Sequence, residues 1–137
     1  MKVSARNQLV GKITEIIEGK VNSEIVIDVN GMAIKSVITN GSLKYMELVV
    51  GDTVTAIIKA SQVIVANGHP GKISTRNILE TKVENIINGA VNCELQLSVG
   101  TNLIAAIITE DAVKDLEIQK GDTVFALIKA NSIILAK

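Results

Sequence analysis

The sequence predicts a mostly β chain made of two small tandem β-barrels, each with one short helix. Ile and Val supply about a quarter of the 137 residues, and β-branched side chains fit a pleated, half-buried strand better than a helix. The chain also repeats itself. At an offset of 70 positions its halves align without a gap, and about 27 of the 65 aligned positions are identical. Ser4-Ala5-Arg6-Asn7 meets Ser74-Thr75-Arg76-Asn77, and Gly19-Lys20-Val21-Asn22-Ser23-Glu24 meets Gly89-Ala90-Val91-Asn92-Cys93-Glu94. Gly51-Asp52-Thr53-Val54 recurs as Gly121-Asp122-Thr123-Val124, and Ile58-Lys59-Ala60 as Ile128-Lys129-Ala130. This tandem duplication divides the chain into residues 1–66 and 72–137, joined by Asn67-Gly68-His69-Pro70-Gly71.

In the first repeat the expected strands run from Gln8 to Ile17, Val21 to Val29, Met32 to Thr39, Thr53 to Lys59 and Gln62 to Val65, and each returns 70 residues later. Ile25, Ile27 and Val29 share one face while Glu24 and Asp28 lie on the other, the period of a strand with one solvated side. Asn40 to Leu48 breaks that alternation. Its counterpart, Glu110 to Leu116, reads as one or two helical turns with acidic residues at the N-terminal end, where the helix dipole favours them. Gly51-Asp52 and Gly121-Asp122 then turn the chain back into strand. Five short strands and a helix in roughly 65 residues fit a small closed or partly open barrel. A unit of this size buries only about 60% of the surface its unfolded chain exposes. Val63-Ile64-Val65 and Ile133-Ile134-Leu135 are apolar on both faces, so more than one unit is needed to cover them. The expectation is an obligate oligomer.

Composition removes several classes of function. Fourteen basic residues balance fourteen acidic ones, so no global field recruits a polyanion or a membrane surface. Tyr45 and Phe125 are the only aromatic residues, too few for the stacking platform of a single-strand binder. No stretch approaches the roughly 20 apolar residues of a membrane span, and the first residues have no apolar signal core. One cysteine, Cys93, and one histidine, His69, exclude an intrachain disulfide framework and the usual zinc clusters. A reducing cytoplasm is the expected home.

The polar residues that recur in both repeats are mainly hydrogen-bond donors and cations. Ser4/Ser74, Arg6/Arg76, Thr39/Thr109 and Lys59/Lys129, with backbone N–H groups, are what a tetrahedral dianion requires, because it offers only acceptors and charge. Each also has a plainer reading. Ser4 and Arg6 fit a strand start with a surface ion pair, Lys59 and Lys129 fit the end of an apolar strand, and Asn22 and Asn92 fit turns. His69 reads as a solvated loop residue. Cys93 stands where the first repeat has Ser23, which favours a small packing residue over a reactive thiol.

Ser4-Ala5-Arg6-Asn7-Gln8, Gly19-Lys20-Val21-Asn22-Ser23-Glu24, Val37-Ile38-Thr39 and Ile58-Lys59-Ala60-Ser61 together resemble the signature segments of the Mop domain, the TOBE-type domain of molbindins. The resemblance covers the whole length twice, with the segments in one order. It implies OB-like barrels and a cytoplasmic protein that binds molybdate or tungstate for storage or homeostasis, without catalysis or an organic cofactor. It further implies a homo-oligomer, a trimer of two-domain chains, with oxyanions held between subunits. Carried over by position, one set of oxyanion ligands comprises Ser4, Ala5, Arg6, Thr39, Ser42, Lys59, Ala60 and Ser61. The second repeat supplies Ser74, Thr75, Arg76, Thr109, Lys129 and Ala130. A second class of site matches Val21-Asn22-Ser23 and Val91-Asn92-Cys93, with contacts largely from the backbone. Ala5 corresponds to Thr75, Ser42 to Ala112 and Ser61 to Asn131, so the two repeats are not expected to bind alike. A donor-only pocket leaves the proton of hydrogenphosphate without an acceptor, at a cost of about 1–3 kcal/mol, and so favours fully ionised dianions.

Two other readings compete. An OB-like nucleic-acid- or protein-binding module rests on the barrel alone, against the neutral charge and scarce aromatics. An enzyme using Cys93 or His69 rests on residues that do not recur in the other repeat.

Overall fold

The structure, a computed structural model, describes residues 1–137. The first repeat contains strands β1 (Asn7–Glu18), β2 (Asn22–Val29) and β3 (Met32–Thr39), helix α1 (Asn40–Tyr45), and strands β4 (Thr53–Ile58) and β5 (Ile64–Ala66). The second contains β6 (Asn77–Asn88), β7 (Asn92–Val99), β8 (Asn102–Thr109), α2 (Glu110–Asp115), β9 (Thr123–Ile128) and β10 (Ile134–Ala136). The mostly β class and the short helices are borne out. The stretch expected as one strand from Gln62 instead opens with a 3-10 turn, Ala60–Gln62, repeated at Ala130–Ser132.

Local chemistry explains the turns. Asn30 and Gly31 both have positive φ, 49° and 86°, the backbone of the two-residue hairpin that suits the right-handed twist of β2 and β3. Thr39 caps α1, its Oγ1 accepting from the Ser42 N–H at 3.1 Å, and Thr109 caps α2 by accepting from the Ala112 N–H at 3.0 Å. The register between β1 and β2 shifts between Ile13 and Glu15, and that between β6 and β7 shifts between Val83 and Asn85. Such a bulge raises the local twist. The front half of β1 therefore pairs with β4 while its rear half pairs with β2, which curls the sheet.

Each sheet has five antiparallel strands, in the orders β10-β4-β1-β2-β3 and β5-β9-β6-β7-β8. The last strand of each repeat thus belongs to the sheet of the other. Leu135 pairs with Ala56 and Val65 with Ala126. This exchange answers part of the apolar puzzle in the sequence. Val63, Val65, Ile133 and Leu135 are buried, whereas Ile64 and Ile134 remain about half and two-thirds exposed, at 50% and 64%. The inward faces are covered within one chain, and only the outward isoleucines still lack a cover. A single core cluster runs through both repeats, from Ile13, Ile27 and Ile58 to Val83, Leu97 and Ile128.

Several polar contacts between the repeats come in reciprocal pairs. The Asn7 side chain donates to the Ala105 carbonyl at 2.8 Å and accepts from the Ala105 N–H at 2.7 Å. Asn77 does the same to Lys35, at 2.8 Å in both directions. Just past β10, Lys137 donates to the carbonyls of Met46 and Glu47 at 3.3 and 3.1 Å. Its counterpart Asn67 donates to Leu116 at 2.7 Å. These pairs relate the repeats by an approximate twofold axis and hold the middles of β3 and β8, and the segments just after α1 and α2, against the partner repeat.

Candidate functional site

Strand exchange decides which candidate residues meet. The end of β3 lies against the 3-10 turn Ala130–Ser132, and the end of β8 against Ala60–Gln62. Ser74, Arg76, Lys129, Ala130 and Asn131 line an open hollow of about 210 Å³, closed on one side by Val37 of the first repeat. Val37 and Asn131 also border a neighbouring hollow of about 380 Å³ that holds Asn22, Thr39 and Ser42. Ser4, Ala5 and Lys59 line a third, of about 560 Å³, with Gln62, Ser132 and the apolar Val3, Ile57 and Ile134.

Within one chain Thr39 and Ser42 line a different hollow from Ser4 and Lys59. Thr39 and Ser42 adjoin the Lys129 hollow of the other repeat, because β3 abuts the second 3-10 turn. Arg6, Ala60, Ser61, Thr75 and Thr109 line none of these hollows. Ala60 and Ala130 are buried, so each offers backbone more than side chain. Thr39 and Thr109 use their hydroxyl oxygens as helix caps. In the first repeat Thr39 Oγ1 also donates to Ser42 Oγ at 3.0 Å; Ala112 leaves Thr109 without that acceptor.

Both arginines are already paired, across the repeats. Arg6 Nη2 lies 2.7 Å from Glu94 Oε1, and Arg76 Nη2 lies 3.2 Å from Glu24 Oε1. Arg76 of the Lys129 hollow is thus shared with a carboxylate, although Glu24 does not itself line the hollow. Glu24 and Glu94 are residues that reading the sequence for donors passes over. Their recurrence in both repeats was the available signal. Asn7 and Asn77, part of the same Ser-x-Arg-Asn segments, are buried staples rather than ligands.

The segments of the second site class are strand starts. The Val21 carbonyl accepts from the Asn40 N–H and the Val91 carbonyl from the Glu110 N–H, at 2.9 and 2.8 Å. Val21, Asn22, Val91 and Asn92 are exposed. Ser23 and Cys93 point inward and are buried. Ser23 Oγ donates to Asn40 Oδ1 at 2.6 Å, whereas the second repeat has Glu110 at the position matching Asn40, and Cys93 turns its thiol to Asn88 Oδ1 at 3.4 Å. Their side chains are thus unavailable to a ligand on the surface. His69 is exposed, accepts at Nδ1 from the Gly71 N–H at 3.0 Å, and packs edge-on against Phe125 with centroids 5.1 Å apart. Thr75 Oγ1 is buried without a hydrogen-bond partner.

The model of the TOBE domain family matches residues 3–65 and again residues 73–135. The chain belongs to the TOBE domain family. The resemblance read from its four repeated segments is thereby borne out. Over 99% of its length the TOBE chain is 38% identical to the molybdenum-pterin-binding protein MopA of Rhodobacter capsulatus and 35% identical to the molybdenum transport protein ModE of Azotobacter vinelandii. It spans about half the length of these relatives, 52% and 51%. The solved structure of the cytoplasmic molybdate-binding protein ModG, with molybdate bound, superposes with a TM-score of 0.93 at 36% identity, covering 99% of both chains. That likeness supports the reading of the two curled sheets as tandem OB-like barrels.

Proposed function

We propose that this chain binds molybdate or tungstate as a cytoplasmic store of the oxyanion, and works by binding rather than by catalysis. The observation that carries the reading is the hollow in which Ser74, Arg76 and Lys129 converge beside Ala130 and Asn131. Hydroxyl, guanidinium and ammonium groups at one open surface match a tetrahedral dianion in charge and in hydrogen-bond sense. Ser4, Ala5 and Lys59 form its counterpart in the first repeat, with Arg6 nearby in sequence. The molybdate-bound ModG fold supports the same ligand, as do the names of MopA and ModE.

The functional form in this proposal is a homo-oligomer, a trimer, in which neighbouring copies complete the hollows. Their openness supports it, as does Ile134, which borders two of the hollows and is 64% exposed, leaving apolar surface at the rim of the polar sites for a neighbouring copy to cover. The segments 21–23 and 91–93 would form the second class of site through their backbone. A ligand held only by the assembled form stabilises that form by mass action.

Calorimetric titration of the anion-stripped protein with molybdate, against sulfate and phosphate, tests the reading, with light scattering to weigh the assembly. Saturable uptake of several molybdates per oligomer, a weak sulfate response, and loss of one class of site in Lys129→Ala are expected. Absence of molybdate uptake overturns it.

A further inference from the structure

We propose that Glu24 is an internal competitor for the anion, holding Arg76 of the opposite repeat and so weakening the site that Arg76 lines, with Glu94 holding Arg6 in the matching place. The inference rests on the oxyanion reading above. Its basis is the reciprocal pair Arg76–Glu24 at 3.2 Å and Arg6–Glu94 at 2.7 Å.

The two members of each pair differ in how firmly they are held. The glutamate side chains are 19% and 13% exposed, the arginine side chains 55% and 59%. The carboxylate is the packed, fixed partner and the guanidinium the solvated one. Pairs with so much exposure contribute little to folding, yet the arrangement is kept in both repeats although most aligned positions have diverged.

A carboxylate is an acceptor-only anion, as an oxyanion is, and it occupies part of the five-donor guanidinium fork. Arg76 and Lys129 bring two positive charges to the hollow, and Glu24 offsets one of them. An incoming dianion must share Arg76 with a carboxylate it repels. The consequence is a site tuned for release as well as capture, with its affinity set by a residue of the other repeat.

Glu24→Gln keeps an oxygen for the arginine to bond and removes the charge. In calorimetric titration with molybdate at fixed ionic strength, this variant is expected to tighten the class of site lined by Arg76 by about threefold to tenfold. Glu24→Asp, which retains the charge, is expected to tighten that class less. Combined with Lys129→Ala, Glu24→Gln should produce no tightening of that class, because its site is gone. Thermal unfolding of the anion-free variants confirms that the fold is intact before any titration is read.

Unchanged or weaker binding in folded Glu24→Gln overturns the inference while leaving the oxyanion reading in place. Failure of the parent chain to take up molybdate overturns both.

Discussion

Asn7 pairs with Ala105 as if its side-chain amide were one more residue of strand, donating to the carbonyl at 2.8 Å and accepting from the N–H at 2.7 Å. The two residues lie 98 positions apart, and the contact joins the start of β1 to the edge of β8. A buried backbone group that loses its only partner keeps its desolvation cost. Asn7→Ala is therefore expected to destabilise the protein by about 2–4 kcal/mol. Asn77→Ala is expected to cost more, because Asn77 Nδ2 donates to the Ile128 carbonyl at 3.1 Å as well as to Lys35. Urea unfolding of the two variants checks both the size and the order.

Strand exchange makes damage appear in the wrong repeat. Leu135 is buried and pairs with Ala56 in the first sheet. Leu135→Ala is expected to cost about 2–4 kcal/mol, the usual range for truncating a buried leucine. Amide hydrogen exchange should quicken first at residues 55–57 of β4, and later in β9. Val65→Ala should reverse that order.

Asp52 is held below its ordinary carboxyl value of 3.8, first by the hydrogen bond from the Val49 backbone N–H and then by the Lys137 side chain. Its folded-state value is depressed, so its contribution is complete above the unfolded value and is lost as the pH falls through the folded one. The loss belongs to the strongly acidic range, below 3.8. Lys137→Ala should move the Asp52 titration back upward, read by carbon NMR of the carboxyl group, and shift the loss of its contribution to correspondingly higher pH.

Thr75 Oγ1 is buried and unpartnered, which costs free energy in the anion-free protein. Thr75→Val keeps the shape and removes the polar atom. It is expected to be neutral or stabilising, by up to about 2 kcal/mol, in anion-free thermal unfolding. Ala5, at the matching position, has no such hydroxyl.

What the sequence made legible was local. Alternation at Ile25, Ile27 and Val29 placed β2 on the right face, and the break at Asn40 marked α1, because period and turn chemistry are written in neighbouring residues. The repeat gave the duplication for the same reason. Strand exchange was not legible. Ile64-Val65-Ala66 and Ile134-Leu135-Ala136 are three-residue strands that read alike and fit either sheet, and only the path of the 3-10 turn before each selects its partner. That choice also separated Thr39 from Lys59 and set it beside the Lys129 hollow. Glu24 and Glu94 stayed hidden for another reason: a search for donors does not register the acceptor that holds them. Thr39 and Thr109 show the converse, since a hydroxyl expected as a ligand also serves as the cap of a short helix.

The central claim is that an oxyanion sits where Ser74, Arg76 and Lys129 converge, with a counterpart at Ser4 and Lys59. Anomalous diffraction near the molybdenum absorption edge, from crystals grown with molybdate, locates the metal atom directly. Peaks within hydrogen-bonding reach of the Lys129 and Lys59 side chains are expected, and the Lys129 peak should vanish in crystals of Lys129→Ala. Peaks confined to other surfaces, or no ordered peak in a protein that takes up molybdate in solution, would contradict the account.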